Sequence, residues 1–241
     1  MILAALCLSL APGQAAEWTC PIPGQSPVIR MRTLPALGKD RPIAMSVTEI
    51  PHEVLDIWAL RLDEEQLGEE AKVISRPSKP YAVIFTGFGH DGFPANCISF
   101  HGALKFCDWL SKRTKRKFRL PTQTEWIFAC KANEKPPKNM DDVAWHWDNA
   151  EDATHPIGKK KPNGFGLFDM YGNVGEWATK ADGSPVLMGG SWRTKPKALR
   201  ADYAEEYSPD WNMADPQNPK SKWWLANGQF VGLRLVCELE E

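Results

Sequence analysis

The stretch NGFGLFDMYGNVGEW, residues 163–177, constrains the fold more than any other part of the chain. Glycine recurs too often for a helix, which each interior glycine would weaken by about 1 kcal/mol. Large rings recur too often for an ordinary surface loop. A segment of this kind is backbone bent to order and pinned into a core by its side chains. The rest of the chain agrees, with 18 glycines, 20 prolines and 11 tryptophans in 241 residues. Many turns, short elements and a core built on large rings predict a loop-rich α+β domain and exclude a helical bundle. The formal net charge is −1, so no electrostatic footprint for nucleic acid is present.

The first residues, MILAALCLSLAPGQAAEW, are an apolar run followed by small residues. They read as a signal peptide over 1–16, cleaved after Ala15 or Ala16, which implies an exported protein, periplasmic or secreted. The alternative is a buried N-terminal strand. The run from Ile2 to Ala11 is about half the ~20 residues a membrane span needs, so no integral membrane segment is expected after processing. Export leaves Cys20, Cys97, Cys107, Cys130 and Cys237, some of which are expected to pair in an oxidising compartment.

Along residues 17–241, read as one domain, the pattern gives a strand at VIRMRTL and a helix opening at Pro51, with Val54, Leu55, Trp58 and Leu62 on its inner face. Residues 63–80 read as a charged, proline-bearing loop, and YAVIFTGF (81–88) as a buried strand. A helix from Ser99 turns Phe100, Ala103, Leu104, Cys107 and Leu110 inward, and the basic run KRTKRKFR (112–119) reads as a solvated turn. In RLPTQTEWIFACKA, Thr122 and Glu125 stand where they can cap a helix reciprocally, with Trp126, Ala129 and Cys130 inward. Residues 131–162 form an irregular excursion. SPVLMGGSW then gives a strand ending at a double-glycine bend, and FVGLRLVCE a single closing strand.

Within the opening segment, Asp169 and Glu176 offer carboxylates, and the glycines between them permit carbonyl oxygens to turn inward. That mixture suits a hard cation such as calcium, which takes ~6–8 oxygens. It equally suits a packed turn pinned by Phe165, Leu167, Phe168 and Trp177.

Taken in order, RLPTQTEWIFACKA, HPIGKKKPNGFGLFDMYGNVGEW, MGGSW and FVGLRLV resemble the formylglycine-generating enzymes of the sulfatase-modifying-factor family, as do VTEIPHEVLDIW and NCISFHGALKFCDWL before them. The resemblance runs from Val47 to Val236. It implies a single domain related to the C-type-lectin fold, with little regular secondary structure. It also implies structural calcium, with Asp169, Gly172, Val174 and Glu176 as ligands. A second set at Asn149, Ala150 and Asp152 is a weaker match. Where the family has GNVWEW, this chain has Gly175 in place of the first tryptophan. Arg234 matches a structural arginine of the family.

The resemblance also implies where the oxidase chemistry would sit. Two family cysteines shortly after GGS hold copper(I), and a soft ion needs soft thiolates. This chain reads GGSWRTKPKALRADYAEEY there, with Thr194 and Leu199 near the two positions, and no cysteine occurs from Lys131 to Val236. Copper and formylglycine generation are therefore not expected. The five histidines show no HxxxH spacing, and an iron-binding N-terminal domain seen in another branch of the superfamily has no room. What remains is a rebuilt rim: Trp192, Arg193, Arg200, Trp211, Trp223 and Trp224 form a candidate aromatic and cationic groove for a protein or glycan, or else fill the core. The expectation is a binding or accessory domain without oxidase activity, a pseudoenzyme; the alternative is an enzyme of another reaction type, tailoring a secreted metabolite or protein.

Overall fold

A computed structural model describes residues 16–80 and 86–239. The expected signal peptide and most of the YAVIFTGF strand lie outside those residues. Alternation of buried Ile29 and Met31 with exposed neighbours makes VIRMRT a strand with one face on the core. This β2 (Val28–Thr33) pairs antiparallel with β1 (Glu17–Pro21) and with β3 (Ile43–Ser46). The sheet is completed by β4 (Phe118–Arg119) and β11 (Val236–Glu238) in the order β1-β2-β3-β11-β4. The last strand of the chain thus lies inside the sheet begun by the first.

Pro51 opens α1 (His52–Ala59), which buries Val54, Leu55, Ile57 and Trp58. Leu62 falls past the helix end and is exposed. The 63–80 segment is more ordered than its composition suggests, containing α2 (Glu64–Leu67) and a 3-10 turn at Gly68–Val73. Its anchor is Asp63, fully buried and held by Arg76 at 2.6 Å, by Arg113 at 3.1 Å and by the indole N–H of Trp109 at 2.9 Å.

Ser99 caps α3 (Phe100–Thr114), whose buried face is Gly102, Ala103, Phe106, Cys107, Trp109 and Leu110; Leu104 points out. The basic run departs in part from expectation. Only its middle is the expected solvated turn, where Lys115, Arg116 and Lys117 are exposed and the chain reverses at left-handed Lys115; its first residues belong to α3 and its end is β4. Arg113 and Arg119 are committed, the latter to Glu125 and Glu238. The capping box expected of Thr122 and Glu125 is formed at the start of α4 (Gln123–Lys131), with Trp126, Ala129 and Cys130 buried.

The 131–162 excursion contains a 3-10 turn at Met140–Asp142 and β5 (Ala144–Trp145), paired in parallel with β6 (Tyr171–Gly172). A second sheet, in the order β10-β7-β8-β9, comprises β7 (Gly175–Thr179), β8 (Pro185–Met188), β9 (Ala204–Glu206) and β10 (Val231–Gly232). The single closing strand expected at FVGLRLVCE is in fact two. β10 joins β7 in this sheet and β11 joins the first, with Leu233–Leu235 bridging them. That switch of sheets carries Arg234 into the interior between the two.

Hydrophobic burial is shared by two clusters. One packs Trp58, Phe106, Trp109, Trp177 and Leu233 between α1, α3 and the sheets, and the other gathers Met45, Trp126, Met170, Met188 and Val236 around α4. Cys20, Cys107 and Cys130 are buried thiols rather than the bridged pairs expected, and burial raises each of them, Cys130 to about 12. No helix among the described residues is long and apolar enough to cross a membrane.

Candidate functional site

The 163–177 segment answers its own question at Gly172. Its φ is +74°, and a Cβ there would run into the carbonyl of Trp145, across the β5–β6 pair. No other residue type lets the two backbones meet so closely. The turn then delivers Glu176 into the interior. Both of its oxygens accept from the Arg234 guanidinium at 2.7–2.9 Å, and one accepts from the indole N–H of Trp126 at 2.6 Å. Arg234 spends its remaining donors on the carbonyls of Ser46 and Phe168, each at 2.7 Å.

Two further carboxylates share this interior. Asp169, left-handed at φ +55°, accepts from the backbone of Gly158 at 2.6 Å through Oδ2, while its buried Oδ1 has no hydrogen-bond partner. Burial pushes Asp169 up to about 6, against the pull of the Gly158 N–H and of Arg234. Glu49 is fully buried and accepts weakly from Val174 N and Asn173 Nδ2, both at 3.4 Å. Burial first, and then Asp169 and Glu176, hold it well above the usual carboxylate range. Three carboxylates therefore face one guanidinium.

This arrangement bears on the calcium ligands expected at Asp169, Gly172, Val174 and Glu176. Glu176 offers no open carboxylate, because a cation, the Arg234 guanidinium, already neutralises it. The Gly172 Cα packs on the Trp145 carbonyl, and Val174 N points to Glu49. Of the two carboxylates in the set, Asp169 keeps a buried oxygen, Oδ1, without a partner. The donor set does not fit a calcium shell built on Glu176. The second expected set is likewise a self-satisfied turn. Asn149 bonds to His146 N and Ala144 O, the Ala150 carbonyl accepts from the His155 ring at 3.0 Å, and Asp152 is exposed.

The candidate groove also separates. Trp211 and Trp224 are buried, Trp211 against Trp177 and Phe230, Trp224 with its indole N–H on the carbonyl of Ser78. Trp223 packs on Trp58 and His101. These rings fill the core because a domain with so little regular structure needs bulk to close it. Arg193 lies over Phe230 at 3.2 Å and pairs with Glu205 at 2.7 Å, and Trp192 meets Phe88. Arg200 lines an open cleft.

That cleft, about 400 Å³, runs between the end of α4, the excursion and the segment after the double glycine. Its rim is mixed in charge, with Lys131, Lys135, Lys161 and Arg200 beside Glu134 and Asp202, and Cys130, Met170, Tyr171 and Leu199 stand in its walls. Arg200 pairs with Asp202 at 2.7 Å and Lys161 with Asp142 at 3.0 Å. Leu199 ties it to the positions where thiols would be needed. Gly190 has φ +71°, and a Cβ there would lie 2.5 Å from Leu199 Cδ2 and 3.1 Å from Thr194 Oγ1. The fold thus brings residues 194 and 199 together on one glycine, as a hydroxyl and a branched alkyl. Thr194 Oγ1 is occupied closing the turn, accepting from Ser191 N at 3.0 Å. Cys130, the thiol in the cleft wall, is held protonated by burial.

Sequence reasoning missed Glu49 and the pairing of Glu176 with Arg234. The 58-position separation of those two hides a contact that the sheet switch creates.

Comparisons with known proteins follow the same lines. The sulfatase-modifying factor enzyme 1-like domain is matched over residues 77–237. A protein named chaperone protein LppX from Paenibacillus barcinonensis is 32% identical over 100 residues, covering 32% of this chain and 36% of its own. The formylglycine-generating enzyme of Mus musculus is 29% identical over 123 residues, 43% of this chain and 30% of its own. A Bos taurus protein named inactive C-alpha-formylglycine-generating enzyme 2 is 33% identical over 124 residues, 42% and 38%. The chain thus spans about a third of the length of the curated relatives it matches. Among solved structures, Treponema denticola variable protein 1 superposes with a TM-score of 0.66 at 19% identity, covering 93% of this chain and 99% of that one.

Proposed function

The chain belongs to the sulfatase-modifying factor enzyme 1-like domain family, and from that premise we propose that it is an exported binding or accessory domain for a protein or glycan partner, without formylglycine-generating activity. One observation carries the reading. Thr194 and Leu199 meet on Gly190, beside the cleft, and neither is a copper(I) ligand. The cleft supplies the binding surface: an apolar wall for contact area and a rim of mixed charge, Lys131 and Lys135 beside Glu134 and Asp202, for polar groups of the partner. The names of two relatives support the same role, one a chaperone protein and one an inactive enzyme.

The test is direct. Purified protein is incubated with copper(I), oxygen and a Cys-x-Pro-x-Arg peptide, and the peptide cysteine is followed by mass spectrometry. An unchanged peptide is expected. A formylglycine product would overturn the proposal, because some other ligand set would then be holding the metal.

A further inference from the structure

We propose that His52, Asp56 and His90 form a binding site for a divalent first-row transition ion, of which zinc is the one the donors suit by default, at a place distinct from the cleft. One ligand atom from each lies within 4.8 Å of the others. His52 and Asp56 stand four apart at the start of α1, so they share a helix face. His90 comes from the loop before Phe93, with its ring stacked on His52 at 5.1 Å and its Nε2 at 2.8 Å from Asp56 Oδ2.

Beyond proximity, the donors are oriented. Asp91 Oδ1 holds His90 Nδ1 at 2.7 Å, which leaves Nε2 as the nitrogen facing the cluster. A carboxylate behind a histidine is the usual device for fixing the ring and raising the basicity of a metal ligand. The loop is tied to α1 at both ends of the site: His52 N donates to Phe93 O at 3.1 Å, and Gly92 N to Glu53 at 3.2 Å. It is tied from the far side by Ile157 N on Gly92 O and by the Thr154 hydroxyl on Phe88 O. The histidine is therefore presented by a braced loop.

Burial gives the cluster a floor and a mouth. His52 is 1% exposed, whereas the side chains of Asp56 and His90 are 20% and 30% exposed. An ion can enter from solvent and keep a water as a further ligand, as three-ligand zinc sites do. Zinc bonds of ~2.1 Å place neighbouring ligand atoms about 3.4 Å apart, so the His90 Nε2–Asp56 Oδ2 pair at 2.8 Å must open to admit the ion, and the part-exposed His90 ring is the part able to turn. Two imidazoles and a carboxylate also suit iron(II). The site needs no thiol, and so stands apart from the cysteines missing near Gly190.

The experiment uses the full chain without an affinity tag, stripped by chelator and titrated with zinc, and separately with cobalt(II) as a spectroscopic probe. One equivalent is expected to bind in the micromolar range or tighter, with cobalt absorption bands of a low-coordinate nitrogen–oxygen site. His90→Ala and Asp56→Asn should each lose at least a hundredfold in affinity, and Asp91→Ala roughly 10–100-fold. Unchanged circular dichroism and melting of the metal-free variants shows that they still fold. The proposal is overturned if the wild type takes up no stoichiometric zinc at micromolar concentration, or if His90→Ala and Asp56→Asn both bind as the wild type does.

Discussion

Asp169→Asn tests whether the interior around Arg234 is held together by protons. In the folded protein, burial raises Asp169 from 3.8 to about 6. For an acid raised this way, the native state binds the extra proton, so the stability contribution is fully present below 3.8 and is lost as pH rises through 6. The full span is about 3 kcal/mol, because each tenfold gain in proton affinity on folding is worth ~1.4 kcal/mol. Between pH 4.5 and 7.5 about 2 kcal/mol of it is traversed, since the unfolded carboxyl is already largely ionised at the lower value. Because Asp169 is almost wholly buried, solvent screening takes little from this figure.

The wild-type pH profile alone does not isolate this effect. Burial, with His90 beside it, lowers His52 to about 4, so its contribution is present above 6.5 and lost as pH falls, opposing Asp169 over the same window. The difference between variant and wild type removes that contribution. Urea unfolding in chelator at pH 4.5, 6 and 7.5 should show Asp169→Asn gaining on the wild type by about 2 kcal/mol across the range. Parallel profiles, within about 0.5 kcal/mol, would refute the reasoning, because Asp169 would then be ionising as freely folded as unfolded. A calcium arm decides the competing account. If calcium raises the wild-type midpoint at pH 7.5 and leaves Asp169→Asn unmoved, a cation rather than a proton relieves Asp169, and the neutralisation of Glu176 by Arg234 gives way to the shell expected from the family.

Arg234→Met should lose about 3–5 kcal/mol in denaturant unfolding, because it strands Glu176 in the core, and adding Glu176→Gln should recover most of that. Thr194→Cys with Leu199→Cys should create copper(I) uptake that neither single variant shows, measured by competition with a colorimetric chelator; equal uptake by one single variant would mean that the two side chains do not converge on Gly190.

What could be read in advance follows the range of each interaction. The Thr122–Glu125 cap, the α1 face and the Gly189–Gly190 bend depend on residues a few positions apart, and each stands where its pattern put it. The family resemblance gave the fold class and located residues 194 and 199. Charge patterning misled at Arg113 within 112–119, because Asp63 lies about fifty residues away and its burial under Arg113 leaves no local trace. The closing strand misled for a related reason. Val231, Leu233 and Leu235 alternate properly for one strand, yet β7 and β3 claim different ends of it. Tryptophans are ambiguous in any sequence, since the rings that make a ligand face also fill a sparse core, as Trp211 and Trp224 do. The histidines hid in plain spacing: His52 and Asp56 are one helical turn apart, but His90 arrives from another loop.

The turn at residues 189–199 is shaped without thiols, by groups of its own. Gly190 holds its left-handed conformation, Thr194 closes the turn onto Ser191, and Leu199 supplies the alkyl bulk between Gly190 and the cleft. Each of these groups is satisfied by packing or by a hydrogen bond within the turn itself. The interior below is fixed separately, by Arg234 binding Ser46, Phe168 and Glu176 from three different segments. Changes at 194 and 199 would therefore act on the turn and the cleft wall, while Arg234 fixes the interior below. A cleft wall that can change apart from the interior is what the binding role proposed above requires.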